Sequence, residues 1–181
     1  MTIPNLITIV RLIIVPLVIV MIGQENWALA FLLFVAAGVS DAIDGFIARR
    51  FNMRSEFGAY MDALADKALL VSIYVTLSVV GVLPGWLAIT VVSRDVMIVS
   101  AIIISWLLAR PVEIKPLFVS KINTAAQIAF AALVLSTKAF GVEATGFYGA
   151  GMVLVALLTI ISAGAYLAGW MKHMTGNGHE A

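Results

Sequence analysis

The 181-residue chain has no cysteine, which removes disulfides, thiolate nucleophiles and Cys-type zinc sites together. Its two histidines, His173 and His179, both fall in the C-terminal tail, so no paired-histidine catalytic motif can be assembled. The net charge is only +1 and no basic stripe is present, which argues against nucleic acid as a partner. The first 23 residues lack a basic leader and a small-residue cleavage site, and Arg11 interrupts their apolar run. They read as retained structure rather than as a signal peptide. Soluble repeats and low-complexity stretches are absent as well.

What remains is overwhelmingly apolar. Hydrophobic residues make up 62% of the chain and the mean hydropathy is +1.08, against roughly 45 to 50% apolar usage in soluble domains. At about 20 residues per crossing, the length accommodates roughly six helices and no soluble domain. Apolar stretches fall at 6–23, 27–49, 57–81, 84–108, 118–138 and 147–170. Gly23 to Asn26, Gly81 to Pro84 and Gly141 to Gly146 are short turns, whereas Arg50 to Glu56 and Arg110 to Pro116 are longer and charged. The expected fold is all-α and integral to the membrane: six transmembrane helices in one bundle over residues 1–172, followed by a polar, mobile tail at 173–181.

Basic residues orient the chain. Of the basic residues in loops and at helix ends, leaving aside Arg11, Lys67 and Arg94 within the apolar segments, Arg49, Arg50, Arg54, Arg110, Lys115, Lys121 and Lys172 lie on one side and only Lys138 on the other, so the first side, with both termini, is expected to be cytoplasmic. Near the N-terminus, Asn5, Thr8 and Arg11 recur at spacing three after Pro4 and share a helix face. That stripe predicts a short interfacial stretch leading into the first crossing. The alternative is a single arginine snorkelling to the surface.

Against this background stand Asp41, Asp44, Asp62 and Asp66. An ionised carboxylate at membrane depth costs several kcal/mol unless compensated, so acids placed there mark a functional site. Asp41 and Asp44 are three apart, Asp62 and Asp66 four apart, which puts each pair on one face of its helix. The basic loop between the two helices makes them antiparallel neighbours, so the pairs can converge. The eight residues from Asp41 to Arg49 place the site roughly 12 Å below the cytoplasmic interface. Only Lys67 adjoins one of these acids in sequence, and four negative charges call for two divalent ions. Oxygen ligands without histidine or cysteine suit magnesium, manganese or calcium, and two such ions could clamp a pyrophosphate. Gly45, Gly58 and, more mildly, Ala48 clear space for a ligand, and Arg49 is placed to meet a phosphate at the interface.

The stretch from Asp41 to Asp66 resembles the signature of the CDP-alcohol phosphotransferase family, D-x2-D-G-x2-A-R-x8-G-x3-D-x3-D, with every defined position present. The resemblance implies a six-helix membrane enzyme, a homodimer, that transfers a substituted phosphate from a CDP-linked donor to an alcohol and releases CMP. It further implies that Asp41, Asp44 and Asp62 hold the metals, two Mg2+ or Mn2+ ions per subunit. Asp66 would be a further ligand or the general base for the acceptor hydroxyl. Gly45, Ala48, Arg49 and Gly58 would line the nucleotide site, joined by Asn5 and Thr8, which match a P-N-x-x-T element of related enzymes.

The signature leaves the acceptor open. Arg94 and Asp95 lie within the fourth apolar segment; as neighbours they point about 100° apart and need separate partners. Lys115 and Lys121 flank Phe118 where the fifth helix begins, a place to receive an anionic acceptor, though topology alone also puts basic residues there. Ser93 to Met97 and Lys115 to Gln127 resemble the S-R-D-V-M and K-P-x-F-x-S-K-x-N-T-x-x-Q segments of the eukaryotic-type cardiolipin synthase subgroup. That resemblance implies CDP-diacylglycerol as donor and phosphatidylglycerol as acceptor, with Arg94, Lys115 and Lys121 on the acceptor side. The expected location is a bacterial inner membrane, with both termini and the active site on the cytoplasmic face. A phosphatidylglycerophosphate synthase using glycerol 3-phosphate is the nearest alternative. A small divalent-cation transporter is the alternative of another class, since helix acids also mark ion paths; such a path has no need of Gly45, Arg49 and Gly58.

Overall fold

The computed structural model describes the backbone of residues 3–50, 56–108, 118–142 and 145–175, and the side chains of 10–41, 43, 65, 67–108, 118–142 and 146–175. Among the described residues six helices follow in order: α1 (Ile3–Gly23), α2 (Trp27–Arg50), α3 (Glu56–Val79), α4 (Gly85–Leu107), α5 (Phe118–Phe140) and α6 (Thr145–Met174). They coincide with the six apolar stretches to within a few residues. Two differences matter. The N-terminal polar stripe and the first apolar run form one continuous helix that keeps Pro16 in its interior. At the other end α6 runs through Met174, past the position where the polar tail is expected to begin, with Lys172 and His173 in its last turn, where positive side chains favour the helix C-terminus.

The turns show why the helices stop. After α3 the amides of Gly81 and Val82 return to the carbonyls of Ser78 and Leu77 at 3.1 and 2.9 Å, a Schellman closure with Gly81 at φ 77°. Gly141, at φ 65°, ends α5 the same way, with Val142 N–H donating to Thr137 O at 2.9 Å. After α1 the left-handed residue is Glu25, at φ 57°, rather than Gly23. Asn26 then caps α2 by accepting from Leu29 N–H at 3.3 Å.

The contacts divide the chain into two units, residues 1–85 with 131–145 and residues 86–130 with 146–181. In the first unit α1 packs on both α2 and α3. The buried stripe of α1 is Arg11, Val15, Val18 and Ile22, and α2 buries Ala30, Phe34 and Ala37. Asp41 is the next position on that α2 stripe, and the two alanines allow the close helix approach that small residues give. α3 contributes Ala65, Leu69, Ile73 and Leu77. Where α2 begins and α5 ends, Phe31 and Phe140 meet edge to face at 5.9 Å, and the Lys138 ammonium lies 5.7 Å from the centre of the Trp27 ring.

The second unit is built around a polar seam. Gln127 Nε2 donates to Thr159 Oγ1 at 3.2 Å, and Thr159 donates onward to Asn123 Oδ1 at 2.9 Å. Trp170 Nε1 donates to Ser105 Oγ at 2.8 Å. Meanwhile Ile89, Ile102, Ile103, Ile160 and Ile161 are exposed. Polar groups inside and branched aliphatics outside is the reverse of a soluble core and fits a lipid surround. Among the described residues, Gly85–Leu107, Phe118–Phe140 and Gly146–Met174 are long and apolar enough to cross a membrane, with shorter apolar segments at Val10–Gly23, Trp27–Asp41 and Lys67–Val79.

One packing contact in this unit yields a prediction. A Cβ on Gly151 would fall into the Phe130 ring, which is itself buried and meets Tyr148 edge to face at 6.5 Å. Gly151→Ala is therefore expected to destabilise the protein by about 1–3 kcal/mol through overpacking, read as a lowered thermal midpoint in detergent. Adding Phe130→Leu should recover part of the loss; a Gly151→Ala midpoint equal to wild type would show that the ring has room to move.

Candidate active site

Asp41 and Asp44 lie on α2, and Asp62 and Asp66 on α3. The helical backbone therefore gives each pair the shared face that its spacing requires. The side chains of Asp44, Asp62 and Asp66, and likewise those of Asn5, Thr8, Gly45, Ala48, Arg49 and Gly58, lie outside the described residues, as does Lys115. Among the described residues no three His, Cys, Asp or Glu side chains come together. Asp41 is the described member of the acidic set.

Its partner comes from α1. Arg11 Nη2 lies 2.8 Å from Asp41 Oδ1, with the arginine side chain 1% exposed and the aspartate 42% exposed. The snorkelling alternative for Arg11 is thus set aside: the guanidinium is buried on the helix–helix face. The reason is register. Arg11 precedes Val15, Val18 and Ile22 on the buried stripe of α1, and Asp41 follows Ala30, Phe34 and Ala37 on that of α2. The antiparallel pair brings the N-terminal half of one helix beside the C-terminal half of the other. Lys67 is therefore not the sole cation among these acids. A half-exposed carboxylate is a hard oxygen donor, so its chemistry fits magnesium or manganese, with one of its oxygens already held by an arginine.

The second unit places Arg94 differently from expectation. Arg94 and Asp95 pair with each other, Arg94 Nη1 with Asp95 Oδ1. The long arginine stem spans the angular offset between neighbours, and its five donors serve several acceptors. Nη2 donates to Ser120 Oγ and to Ser162 Oγ at 3.2 Å, while the guanidinium carbon lies 5.6 Å from the centre of the Tyr166 ring. Among the described residues, Arg94 Nε has no hydrogen-bond partner, nor has Asn123 Nδ2, which is fully buried. Lys121 is exposed in the first turn of α5. Ser120, Asn123 and Gln127 are defined positions of the segment that runs into α5, with no role expected of them, and Thr159 and Ser162 carried no expectation at all. The available signal was the recurrence of polar residues at 120, 123 and 127 on α5 and at 159, 162 and 166 on α6, a helical stripe within apolar segments.

Residues 1–168 match the CDP-alcohol phosphatidyltransferase family. The chain is 32% identical over 181 residues to a Homo sapiens cardiolipin synthase (CMP-forming), covering 91% of this chain and 60% of that protein. To the Rattus norvegicus protein of the same name it is 34% identical over 155 residues, 77% of this chain and 51% of the relative. It is also 33% identical over 184 residues to the chloroplastic CDP-diacylglycerol–glycerol-3-phosphate 3-phosphatidyltransferase 1 of Oryza sativa subsp. japonica, 92% of this chain and 56% of that one. The chain thus spans between half and three fifths of the length of these relatives. With all eight defined positions of the signature on α2 and α3 and the family match covering residues 1–168, the chain belongs to the CDP-alcohol phosphatidyltransferase family.

Proposed function

We propose that this protein is a CMP-forming cardiolipin synthase, transferring the phosphatidyl group of CDP-diacylglycerol to phosphatidylglycerol. The observation that carries this reading is the complete eight-position signature, set on two helices and followed in sequence by the S-R-D-V-M segment of α4 and the K-P-x-F-x-S-K-x-N-T-x-x-Q segment, which from Phe118 onward lies on α5. Relatives named cardiolipin synthase support it. Six crossings with a cytoplasmic active site in a bacterial inner membrane, and a homodimeric assembly, belong to the same proposal. The Lys138–Trp27 and Phe31–Phe140 contacts support the alternation of crossings, because they set the end of α5 beside the start of α2.

Asp41, Asp44 and Asp62, with Asp66 as a further ligand, would hold divalent cations, on which the family generally depends; we assign two Mg2+ or Mn2+ ions. When bound, the metal supplies positive charge to the donor pyrophosphate and to the leaving oxygen. Asn5, Thr8, Gly45, Ala48, Arg49 and Gly58 bind and orient the cytidine diphosphate. Asp66 takes the proton of the acceptor's glycerol hydroxyl. The freed oxygen forms a bond to the phosphorus that carries diacylglycerol, the bond from that phosphorus to the bridging oxygen breaks, and CMP leaves with that oxygen. The acceptor's phosphodiester is assigned to Lys121, Lys115 and Arg94. Because Arg94 already neutralises Asp95, the lysines supply most of the attraction.

A second reading, phosphatidylglycerophosphate synthesis, is favoured by the rice relative. Incubating the purified protein with labelled CDP-diacylglycerol, Mn2+ and either phosphatidylglycerol or glycerol 3-phosphate separates the two. Cardiolipin and CMP are expected with phosphatidylglycerol. Product from glycerol 3-phosphate alone would move the assignment to the second reading, and no CMP with either would remove both.

A further inference from the structure

We propose that Arg11 is a positioning residue and built-in counter-charge for Asp41, and that its charge makes tight binding of the divalent ion depend on the nucleotide's pyrophosphate. The inference rests on the phosphotransferase reading above and adds a role for a residue outside the signature.

Three observations lead to it. Arg11 holds one carboxylate oxygen of Asp41, at 2.8 Å, from a position 1% exposed, whereas Asp41 itself is 42% exposed. The carboxylate is therefore anchored from its buried side and exposed on the other, the side from which a metal would approach. Supporting partners of this kind fix the orientation of a metal ligand and tune its basicity. Second, a guanidinium does not lose its proton in a protein, so the charge is permanent. Third, Arg11 lies on the same stripe as Val15, Val18 and Ile22, so it cannot swing to water without breaking the helix contact.

The consequence is electrostatic. A divalent ion on Asp41 shares that carboxylate with a fixed positive charge in a poorly screened setting, and like charges there repel far more than in water. Arg11 offsets one of the four negative charges that would otherwise draw metal in. The pyrophosphate of a cytidine nucleotide restores negative charge at the point of need, so metal and nucleotide bind tightly only together. Such coupling keeps the site from holding metal firmly when no donor is present.

The test is a Mn2+ titration of the full chain in detergent, following free Mn2+ by electron paramagnetic resonance with and without CDP, in wild type, Arg11→Met and Arg11→Lys. In wild type, CDP is expected to tighten Mn2+ binding about tenfold or more. Arg11→Met should bind Mn2+ about tenfold more tightly than wild type without CDP and gain little when CDP is added. Its kcat should fall at least about tenfold, with a smaller change in KM for CDP-diacylglycerol. Arg11→Lys, which keeps the charge, should retain the CDP dependence and recover part of the kcat. A wild-type protein that binds Mn2+ equally well with and without CDP overturns the proposal even if Arg11→Met does not fold. So does a folded Arg11→Met whose two titrations match wild type. Failure of wild type to release CMP from CDP-diacylglycerol would instead remove the reading on which the proposal rests.

Discussion

Asp66→Asn lowers the rate of CMP release from CDP-diacylglycerol by about 10³-fold, within the range expected when a general base is lost, while the protein still inserts and folds. Asparagine keeps the shape and hydrogen-bonding reach of aspartate but cannot take up the proton of a hydroxyl. Insertion is spared because an amide in an apolar helix is less costly than a carboxylate, and α3 keeps its Leu69, Ile73 and Leu77 contacts. Mn2+ binding divides the two roles proposed for Asp66. A variant that is inactive yet binds Mn2+ as wild type does has lost a base; one that also loses Mn2+ has lost a ligand. Wild-type turnover in a folded Asp66→Asn protein would take Asp66 out of the reaction altogether.

The second large effect concerns stability. Arg94 is 6% exposed and ties Asp95, Ser120 and Ser162 together. Removing one member of a buried ion pair costs about 3–5 kcal/mol, so Arg94→Ala is expected to lower stability by about that amount in detergent unfolding. Arg94→Ala with Asp95→Ala also removes the carboxylate that faced the guanidinium and should recover part of the loss, since neighbouring substitutions are coupled rather than additive. The double variant also separates structure from chemistry. If Arg94 helps to bind the acceptor's phosphodiester, part of the stability returns in the double variant while the KM for phosphatidylglycerol stays raised. An Arg94→Ala protein as stable as wild type would show that the seam tolerates Asp95 without the Arg94 guanidinium.

Much of the helix pattern was legible because each segment is both long and apolar, and each turn carries its own chemistry. Gly81 and Gly141 are the left-handed residues that close α3 and α5, as glycine in a short turn foretells. The turn after α1 was less legible: Glu25 takes the left-handed conformation beside a glycine that does not, a choice that Gly23 alone does not reveal. The acidic pairs were legible for a different reason. Spacings of three and four on a helix settle which residues share a face without any knowledge of the neighbours.

Partners were another matter. Arg11 looked like an interfacial residue because local pattern reports only its own helix, whereas the residue that neutralises it lies 30 positions later on α2. Arg94 and Asp95 were expected to point apart, which holds for their Cβ directions and fails for an arginine long enough to fold back on its neighbour. The seam of Asn123, Gln127 and Thr159 was readable as a stripe on α5 and a stripe on α6, but not as one chain of hydrogen bonds.

Composition, hydropathy and fixed spacing therefore determined, by themselves, the lipid surround, the six helices and the family to which the acidic signature belongs, because each of these is set within a single segment by solvent transfer and helical periodicity. Tertiary packing alone decided which charge meets which, burying Arg11 against Asp41 and gathering Arg94 with Asp95, Ser120 and Ser162. Those pairings depend on the register between separate helices, which side-chain packing sets and no one segment encodes.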